Sequence, residues 1–261
     1  METIHRSAAA GYAAQADTYV SGRPDYPPAL DGWLRGDLRV GPGRTVLDLG
    51  AGTGKFTPRL TETGARVVAV EPVAAMRAQL VQCNPGVEAH PGHAEAIPLA
   101  DGAVDAVVCA QSFHWFATAA ALAEIRRVLR PGGTLGLVWN VRDESVPWVA
   151  DLTRIVDAYE DDTPRYRTGA WRAAFPAAGF GPLHERRLPH HHEGPAEDVV
   201  VGRALSVSFI AALPTDERAA VAAAVRALIA ATPELAGRDS VRYPYETVAF
   251  HCTAADRPAA A

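Results

Sequence analysis

The sequence is poor in the residues and patterns that mark several large classes of protein. It has only three cysteines, Cys83, Cys109 and Cys252, and no two of them have C-x-x-C spacing, so neither a disulfide framework nor a thiolate zinc site is indicated. No run of about eighteen uncharged apolar residues occurs, and the amino terminus METIHRSAAAGYAAQ lacks the pattern of a secretion signal. We therefore expect neither export nor membrane insertion, and a reducing, cytoplasmic location.

The chain also lacks an excess of positive charge. Its formal net charge is −5, and the acidic residues are interspersed rather than run together, so no electrostatic footprint for nucleic acid is present. With 48% hydrophobic and 21% charged residues, the composition is that of a globular protein rather than a disordered one.

From about residue 44 to 140, short apolar runs alternate with longer helical stretches, which is typical of βαβ units on a parallel sheet. The predicted strands span residues 45–50, 66–71, 87–92, 103–111 and 134–139. Beyond residue 140 the alternation stops; we predict helices near 147–160 and 214–231 and a late strand pair at 183–191 and 240–252. No internal repeat or linker is evident, so one α/β domain with helical insertions is expected.

The stretch VLDLGAGTGKFT, residues 46–57, carries glycines at every second position between a predicted strand and a predicted helix. Such a turn admits a ligand close to the backbone. A Walker loop is excluded because Leu49 and Phe56 stand where it needs glycine and Ser or Thr. A dinucleotide fingerprint places its third glycine at the position of Lys55, whereas here it is Gly54, which makes the spacing G-x-G-x-G.

Glu71 follows the glycine turn at the end of the next apolar strand. A carboxylate at this position can accept hydrogen bonds from two ribose hydroxyls, so the pattern indicates an adenosine-bearing ligand without specifying which one. A tight βα turn without any ligand is the alternative for the glycines taken alone.

Together, VLDLGAGTGKFT, VVAVEP, GHAEAIPLADGAVDAVVCAQSFHWF and LRPGG resemble the class I S-adenosylmethionine-dependent methyltransferases, in particular the small-molecule branch called methyltransferase type 11. The resemblance implies a Rossmann-like, doubly wound, mostly parallel seven-stranded sheet with helical lid insertions. It implies a single domain over residues 1–261, with its core at about 30–140, 165–192 and 238–254. The lid and acceptor pocket would comprise residues 1–30, 141–164 and 193–235.

The resemblance also implies which residues contact S-adenosylmethionine. The glycine loop would lie against the methionine part, Glu71 would hold the ribose, Met76 would border the adenine, and Gln111 and Ser112 would close over the ligand. Many relatives have an aspartate where this chain has His93. The implied cofactor-binding residues are Tyr19, Arg23, Asp48, Gly50, Ala51, Gly52, Gly54, Glu71, Pro72, Met76, His93, Ala94, Glu95, Gln111 and Ser112.

Candidate residues for the acceptor side follow the fourth strand. There, His114 either acts as a base or orients the acceptor, or else it hydrogen-bonds the backbone while its aromatic neighbours fill the core. Tyr26 is a second candidate catalytic residue, with a proline-rich surface arm as the alternative reading of its segment. The predicted pocket residues are Phe113, Trp115, Phe116, Trp139, Asn140, Arg142, Trp148 and Phe209.

The run His190, His191, His192 and Glu193 invites a metal hypothesis. Consecutive residues do not usually converge on one ion and no partner lies at i+4 spacing, so we predict a solvated connector and no metal.

The function expected from these features is methyl transfer from S-adenosylmethionine to a small aromatic or heteroaromatic metabolite, on O, N or C, such as an indole-type acceptor of specialised natural product biosynthesis. The alternatives are an NAD(P)-dependent oxidoreductase and a non-catalytic cofactor-binding module. The expected partners are the small-molecule acceptor and neither nucleic acid nor membrane, and the expected state is a monomer or homodimer.

Overall fold

The computed structural model of the protein describes residues 22–160 and 162–255. Seven strands form one sheet in the order β3-β2-β1-β4-β5-β7-β6. In chain order they are β1 Thr45–Leu49, β2 Arg66–Val70, β3 Glu88–His90, β4 Val104–Ala110, β5 Leu129–Arg142, β6 His184–Gly194 and β7 Val241–Thr253.

Seven α-helices are found among the described residues. They are α1 Thr57–Thr61, α2 Ala74–Cys83, α3 Ala119–Val128, α4 Pro147–Asp157, α5 Arg203–Leu205, α6 Ser208–Ala211 and α7 Thr215–Ala231. Short 3-10 segments occupy Pro28–Leu30, Phe113–Trp115, Tyr166–Thr168 and Ala170–Ala174, and π-helical turns occupy Trp33–Asp37 and Glu197–Gly202. No described helix is long and apolar enough to cross a bilayer.

The four strand pairs from β3 to β5 are parallel, and the chain doubles back at β1, which pairs with β2 on one side and β4 on the other. In open α/β sheets such a switch point opens a crevice at the carboxyl ends of the strands, which is where ligands bind. The central strands are almost continuously buried, as expected for strands covered on both faces. The predicted mostly parallel, seven-stranded α/β sheet is confirmed.

Strand β5 begins five residues before the predicted start at residue 134. Leu129 pairs with Val104, and the register then shifts before Ala106 pairs with Thr134. The shift accommodates Pro131, which has no N–H to donate and is tolerated in strands at such irregularities. The segment with three consecutive histidines, predicted as a solvated connector, forms part of the terminal strand β6.

The structure divides into two compact units. The first, here called the sheet unit, comprises residues 26–139, 164–188 and 247–255; the second, here called the insertion unit, comprises the described parts of residues 22–25, 140–163 and 189–246. Each has a hydrophobic core, centred on residues such as Trp33, Leu60 and Val108 in the sheet unit and on Val149, Leu152 and Val225 in the insertion unit. The expectation of a single domain with the stated core and lid bounds stays a prediction.

Candidate cofactor site

The glycine loop follows β1 in the sheet unit. Gly50, Gly52 and Gly54 have φ angles of +68°, +59° and +79°, a left-handed conformation that side chains rarely adopt. A Cβ on Gly50 would lie 2.8 Å from the Ser112 Cβ, whereas a Cβ on Gly52 would come no closer than 3.5 Å to another residue, Met76. Gly50 is therefore required for packing, whereas a Cβ on Gly52 would make an ordinary contact with Met76 Cε and no clash.

The loop amides are engaged within the protein. Gly50 N and Ala51 N both donate to the Val70 carbonyl, at 2.8 and 3.3 Å, and Gly54 N donates to the Ala51 carbonyl. Gly52 N donates to Glu71 Oε2 at 2.9 Å. Three of these amides hold the loop against β2 and the residue that follows it, and the Gly54 amide closes the turn within the loop. The loop's contribution is therefore close access for a ligand.

Glu71 follows β2 and is buried, with only 6% of its surface exposed. Its Oε2 accepts from Gly52 N, and its Oε1 accepts from Val73 N at 2.8 Å. Burial raises the pKa of Glu71, and these two amide bonds and the charges of Arg77 and His93 oppose that rise. Each carboxylate oxygen has a second lone pair, so a rigidly oriented acceptor for ribose hydroxyls remains.

Asp48, in β1, is completely buried. Thr57 Oγ1, in the first turn of α1, donates to Asp48 Oδ2 at 2.8 Å, while Asp48 Oδ1 has no hydrogen-bond partner in residues 22–160 and 162–255. Burial raises the pKa of Asp48 to about 7, the Thr57 hydrogen bond opposes the rise, and the nearby charge of Glu71 adds to it. Two coupled acidic groups thus adjoin the glycine loop, one of them with an unpaired oxygen.

The end of β4 forms another wall of this region. Gln111 has a φ of +59°, which is costly for a residue other than glycine, and its N–H donates to the Val138 carbonyl at 2.9 Å. Ser112 Oγ donates to the Leu49 carbonyl at 2.8 Å, which ties the end of β4 to the end of β1. The strained turn therefore has a fixed position beside the glycine loop.

The remaining implied cofactor neighbours in the sheet unit differ in exposure. Met76 and Ala94 are buried, His93 is exposed, and Pro72 and Glu95 are partly exposed. Glu95 Oε1 accepts from Thr118 Oγ1 at 3.4 Å. His93 lies close enough to Glu71 to influence its pKa, so the substitution for the family's usual aspartate places a basic side chain near this carboxylate.

His114 lies in the 3-10 segment after β4, and Trp139 Nε1 donates to its Nδ1 at 3.1 Å. An indole N–H can only donate, so Nδ1 must carry a lone pair and the neutral imidazole holds its proton on Nε2. His114 in this arrangement is a hydrogen-bond donor at Nε2 rather than a base, which favours the orienting role among the alternatives open from the sequence.

The aromatic residues expected around the acceptor fall into two groups. Phe113 and Trp139 are fully buried, and Trp139 packs on Tyr166 and Trp171 with ring centroids 4.8 Å apart in both cases. Trp115 and Phe116 are partly exposed. The first group fills the sheet unit's core, so Trp115 and Phe116 are the aromatic side chains of this segment that a ligand can reach.

Tyr26, a candidate catalytic residue, is buried in the same unit. Its ring packs edge-on against Phe56 with centroids 4.6 Å apart, and its carbonyl accepts from Arg59. Tyr26 thus packs in the core, and its proposed contact with the acceptor stays a prediction. The neighbouring candidate Tyr19 lies outside the described residues.

The other predicted site residues belong to the insertion unit. Arg23 donates to the Ser206 carbonyl at 2.9 Å, and Asn140 Nδ2 donates to the Asp25 carbonyl at 2.9 Å. Trp148 and Phe209 are buried in this unit's core. Arg142 is partly exposed, and its Nη1 donates to Thr153 Oγ1 at 3.4 Å.

Sequence reasoning missed several side chains that the structure brings to these regions. Thr57 was assigned only to a helix, although a hydroxyl in the turn after G-x-G-x-G was a usable signal. Trp171 and Phe250, which pack at 5.1 Å, come from distant segments and gave no local signal. The same holds for Arg203, Tyr243 and Tyr245, which surround Arg142 in the insertion unit.

Comparisons with known proteins agree with this geometry. The methyltransferase domain family matches residues 47–137. An uncharacterized methyltransferase-like protein of Schizosaccharomyces pombe is 38% identical over 233 residues, which cover 89% of this chain and 91% of that protein. An uncharacterized methyltransferase of Mycobacterium tuberculosis is 37% identical over 255 residues, or 98% of this chain and 100% of its own length.

A solved structure from Anaeromyxobacter dehalogenans, assigned as a type II methyltransferase, superposes with a TM-score of 0.61 at 27% sequence identity. It covers 90% of this chain and 97% of its own. The extended identity, the sheet order and the glycine loop paired with Glu71 lead to one conclusion: the chain belongs to the class I S-adenosylmethionine-dependent methyltransferases.

Proposed function

We propose that the protein transfers the methyl group of S-adenosylmethionine to a small aromatic or heteroaromatic acceptor. The observation that carries the cofactor assignment is the Gly52 N–H bond to Glu71 at 2.9 Å, which sets a buried carboxylate beside a left-handed glycine. Family membership supplies the reaction class. When bound, S-adenosylmethionine supplies an activated methyl group, so this chain's residues need only align the acceptor with it.

Charge supports this cofactor over a dinucleotide. Asp48 and Glu71 bring two coupled carboxyl groups to the loop, and Asp48 Oδ1 is left without a partner. The sulfonium and amino groups of S-adenosylmethionine are positively charged and therefore complement these two carboxyl groups. The pyrophosphate of NAD is anionic and would be repelled by the same groups, which disfavours the oxidoreductase alternative.

The chain's own contribution on the acceptor side is orientation. His114 offers its Nε2 proton while Trp139 holds the ring by Nδ1. Trp115 stacks obliquely near His114, with ring centroids 5.3 Å apart, and with the partly exposed Phe116 it supplies aromatic surface in the sheet unit. An aromatic or heteroaromatic acceptor, such as an indole of a specialised biosynthetic pathway, suits a donor beside aromatic faces.

For the remaining site residues we propose the roles that the resemblance implies. The residues near the adenosine would be Pro72, Met76, His93, Ala94 and Glu95, and those near the methionine part would be Ala51, Gln111 and Ser112. We place the protein in the cytoplasm because Cys83, Cys109 and Cys252 are free thiols. We also propose that the protein is a monomer or a homodimer and that it does not bind nucleic acid.

Isothermal calorimetry with S-adenosylmethionine, S-adenosylhomocysteine and NAD tests the cofactor. We expect both sulfur compounds to bind and NAD to give no heat; binding of NAD alone would overturn the assignment. Incubation with S-adenosylmethionine and a panel of aromatic acceptors, read by mass spectrometry, then tests the reaction. Gain of one methyl group is expected on an aromatic acceptor, and methylation confined to non-aromatic compounds would overturn the acceptor class.

A further inference from the structure

The insertion unit contains two buried tyrosines, Tyr243 and Tyr245, and a group of partly exposed arginines that act on them electrostatically. The rings of Tyr243 and Tyr245 lie 4.6 Å apart and are 0% and 3% exposed, and neither hydroxyl has a hydrogen-bond partner among the described residues. Burial raises the pKa of Tyr243, and the neighbouring Tyr245 adds to the rise. Two buried, unpaired hydroxyls are costly unless a ligand group satisfies them.

Arg203 adds a cation to these hydroxyls. Among the described residues its buried Nε has no partner, and its Nη1 donates to Ser206 Oγ at a long 3.4 Å. It forms no ion pair within the described part of the chain. Burial lowers the pKa of Arg203 to about 10, Tyr245 opposes the decrease, and the guanidinium groups of Arg142 and Arg23 add to it.

Close backbone packing brings Arg23 to Arg203. A Cβ on Gly22 would lie 2.7 Å from the Gly202 carbonyl carbon, so only glycine permits this approach. The residues that follow these two glycines, Arg23 and Arg203, then both contact Ser206, through its carbonyl and its hydroxyl. The proximity of Arg23 and Arg203 is therefore set by the backbone and does not depend on the flexibility of their side chains.

Arg142 is the third cation of the cluster. Burial lowers its pKa, and Tyr243, Tyr245, Asp157 and Glu144 raise it by more, so the net direction is upward. Arg142 thus has carboxylates nearby, whereas the groups that act on Arg203 are the two phenols and two other guanidiniums. An uncompensated positive charge remains on the Arg203 side of the cluster.

We propose that Arg203, with Arg23, Arg142, Tyr243 and Tyr245, forms a binding site for the carboxylate of a small organic acid. Guanidinium forks bind a carboxylate through two parallel N–H donors, and phenol hydroxyls donate to the same oxygens. A carboxylate would satisfy the buried Arg203 Nε and the tyrosine hydroxyls and neutralise the excess charge. The acid is a ligand in its own right, distinct from the cofactor.

Thermal unfolding in chloride-free buffer tests the site with benzoate and malonate against their uncharged amides, benzamide and malonamide. We expect the acids to raise the Tm and the amides to leave it unchanged. Arg203→Met keeps the apolar length but removes the charge, and Tyr245→Phe removes only an unpaired oxygen, so both variants should fold at least as stably as the wild type. Each should weaken acid binding about tenfold or more, since charge-assisted bonds are lost.

The exposed Arg238 provides the matched control in the same unit, and Arg238→Gln should retain the response to the acids. If acids and amides raise the Tm equally, or if Arg203→Met responds as the wild type does, the proposal is wrong.

Calorimetry with S-adenosylhomocysteine and 5′-methylthioadenosine tests whether the cluster serves the cofactor instead. We expect Arg203→Met to bind both as the wild type does; weaker binding of S-adenosylhomocysteine alone would overturn the proposal of a separate acid site. The inference does not need methyl transfer: loss of acid binding in Arg203→Met would stand even if no acceptor were methylated.

Discussion

Trp139 Nε1 donates a hydrogen bond to His114 Nδ1 over 3.1 Å, and this contact decides which proton the imidazole can offer. Because the indole nitrogen cannot accept, a protonated imidazole would set two N–H groups against each other. The neutral ring with its proton on Nε2 is the form that the sheet unit stabilises.

His114→Gln and His114→Ala test this role. Glutamine extends an amide N–H to about the position of Nε2, so we expect it to retain turnover within about tenfold, whereas alanine loses about a hundredfold through poorer alignment. Cofactor affinity should be nearly unchanged in both. Steady-state kinetics with the acceptor found by the methyl-transfer screen provides the measurement, and equal inactivity of the two variants would indicate proton abstraction by His114 instead.

Gly52→Ala should reduce S-adenosylmethionine affinity at least about tenfold, or about 1.4 kcal/mol, because its Cβ would keep the proposed ligand from the loop backbone. The left-handed φ of +59° adds a cost of about 1 to 2 kcal/mol to folding. Gly43→Ala is the matched control, since Gly43 has a φ of +76° and nothing within 4 Å of the added atom. We expect thermal unfolding to show the same loss of Tm in both variants, and calorimetry to show weaker S-adenosylmethionine binding in Gly52→Ala alone. Equal affinities in the two variants would place the ligand elsewhere.

Glu71→Gln should lower both cofactor affinity and stability. The amide would turn one NH2 group toward the N–H of Gly52 or Val73, which removes an acceptor from a buried donor at a cost of about 1 to 3 kcal/mol. Glu88→Gln on β3 is the control, because Glu88 is exposed and pairs with Arg66 away from the loop. Urea denaturation and calorimetry measure the two effects, and an unaffected cofactor affinity in Glu71→Gln would remove Glu71 from the proposed site.

Asp48 predicts a distinct pH dependence of stability. Its folded pKa of about 7 lies above the usual 3.8, so the folded protein retains a proton that the unfolded chain has lost between these values. The free energy of unfolding should therefore decrease as pH rises across that range, by at most about 1.4 kcal/mol per unit. Asp48→Asn should lack this part of the slope, and urea denaturation from about pH 5 to about pH 8 compares the two. Parallel curves for wild type and variant would contradict the assignment.

The same group should link cofactor binding to pH. A cationic ligand favours the charged carboxylate, so S-adenosylmethionine affinity should increase as pH rises through about 7 in the wild type and less so in Asp48→Asn. S-adenosylhomocysteine, which lacks the sulfonium charge, should show a weaker dependence in calorimetry. Identical dependences for the two ligands would mean that the sulfonium lies away from Asp48.

Much of the sheet could be predicted from local pattern. Apolar runs such as the one ending at Leu49, followed by glycine turns and helical stretches, identify the parallel strands because their period and punctuation are local properties. The start of β5 was missed since Leu129 joins the sheet by pairing with Val104, and a pairing partner is not a local property.

The sequence by itself determined the glycine spacing, the acidic residue at the end of β2 and the alternation of strands and helices, since each depends on neighbours along the chain. Only the tertiary structure decided that Trp139 and Phe113 lie in the core, that His114 accepts from an indole, and that the buried Arg203 Nε lies in the same unit as the buried Tyr243 and Tyr245. These outcomes depend on burial and on contacts between distant segments, and both arise only when the chain packs.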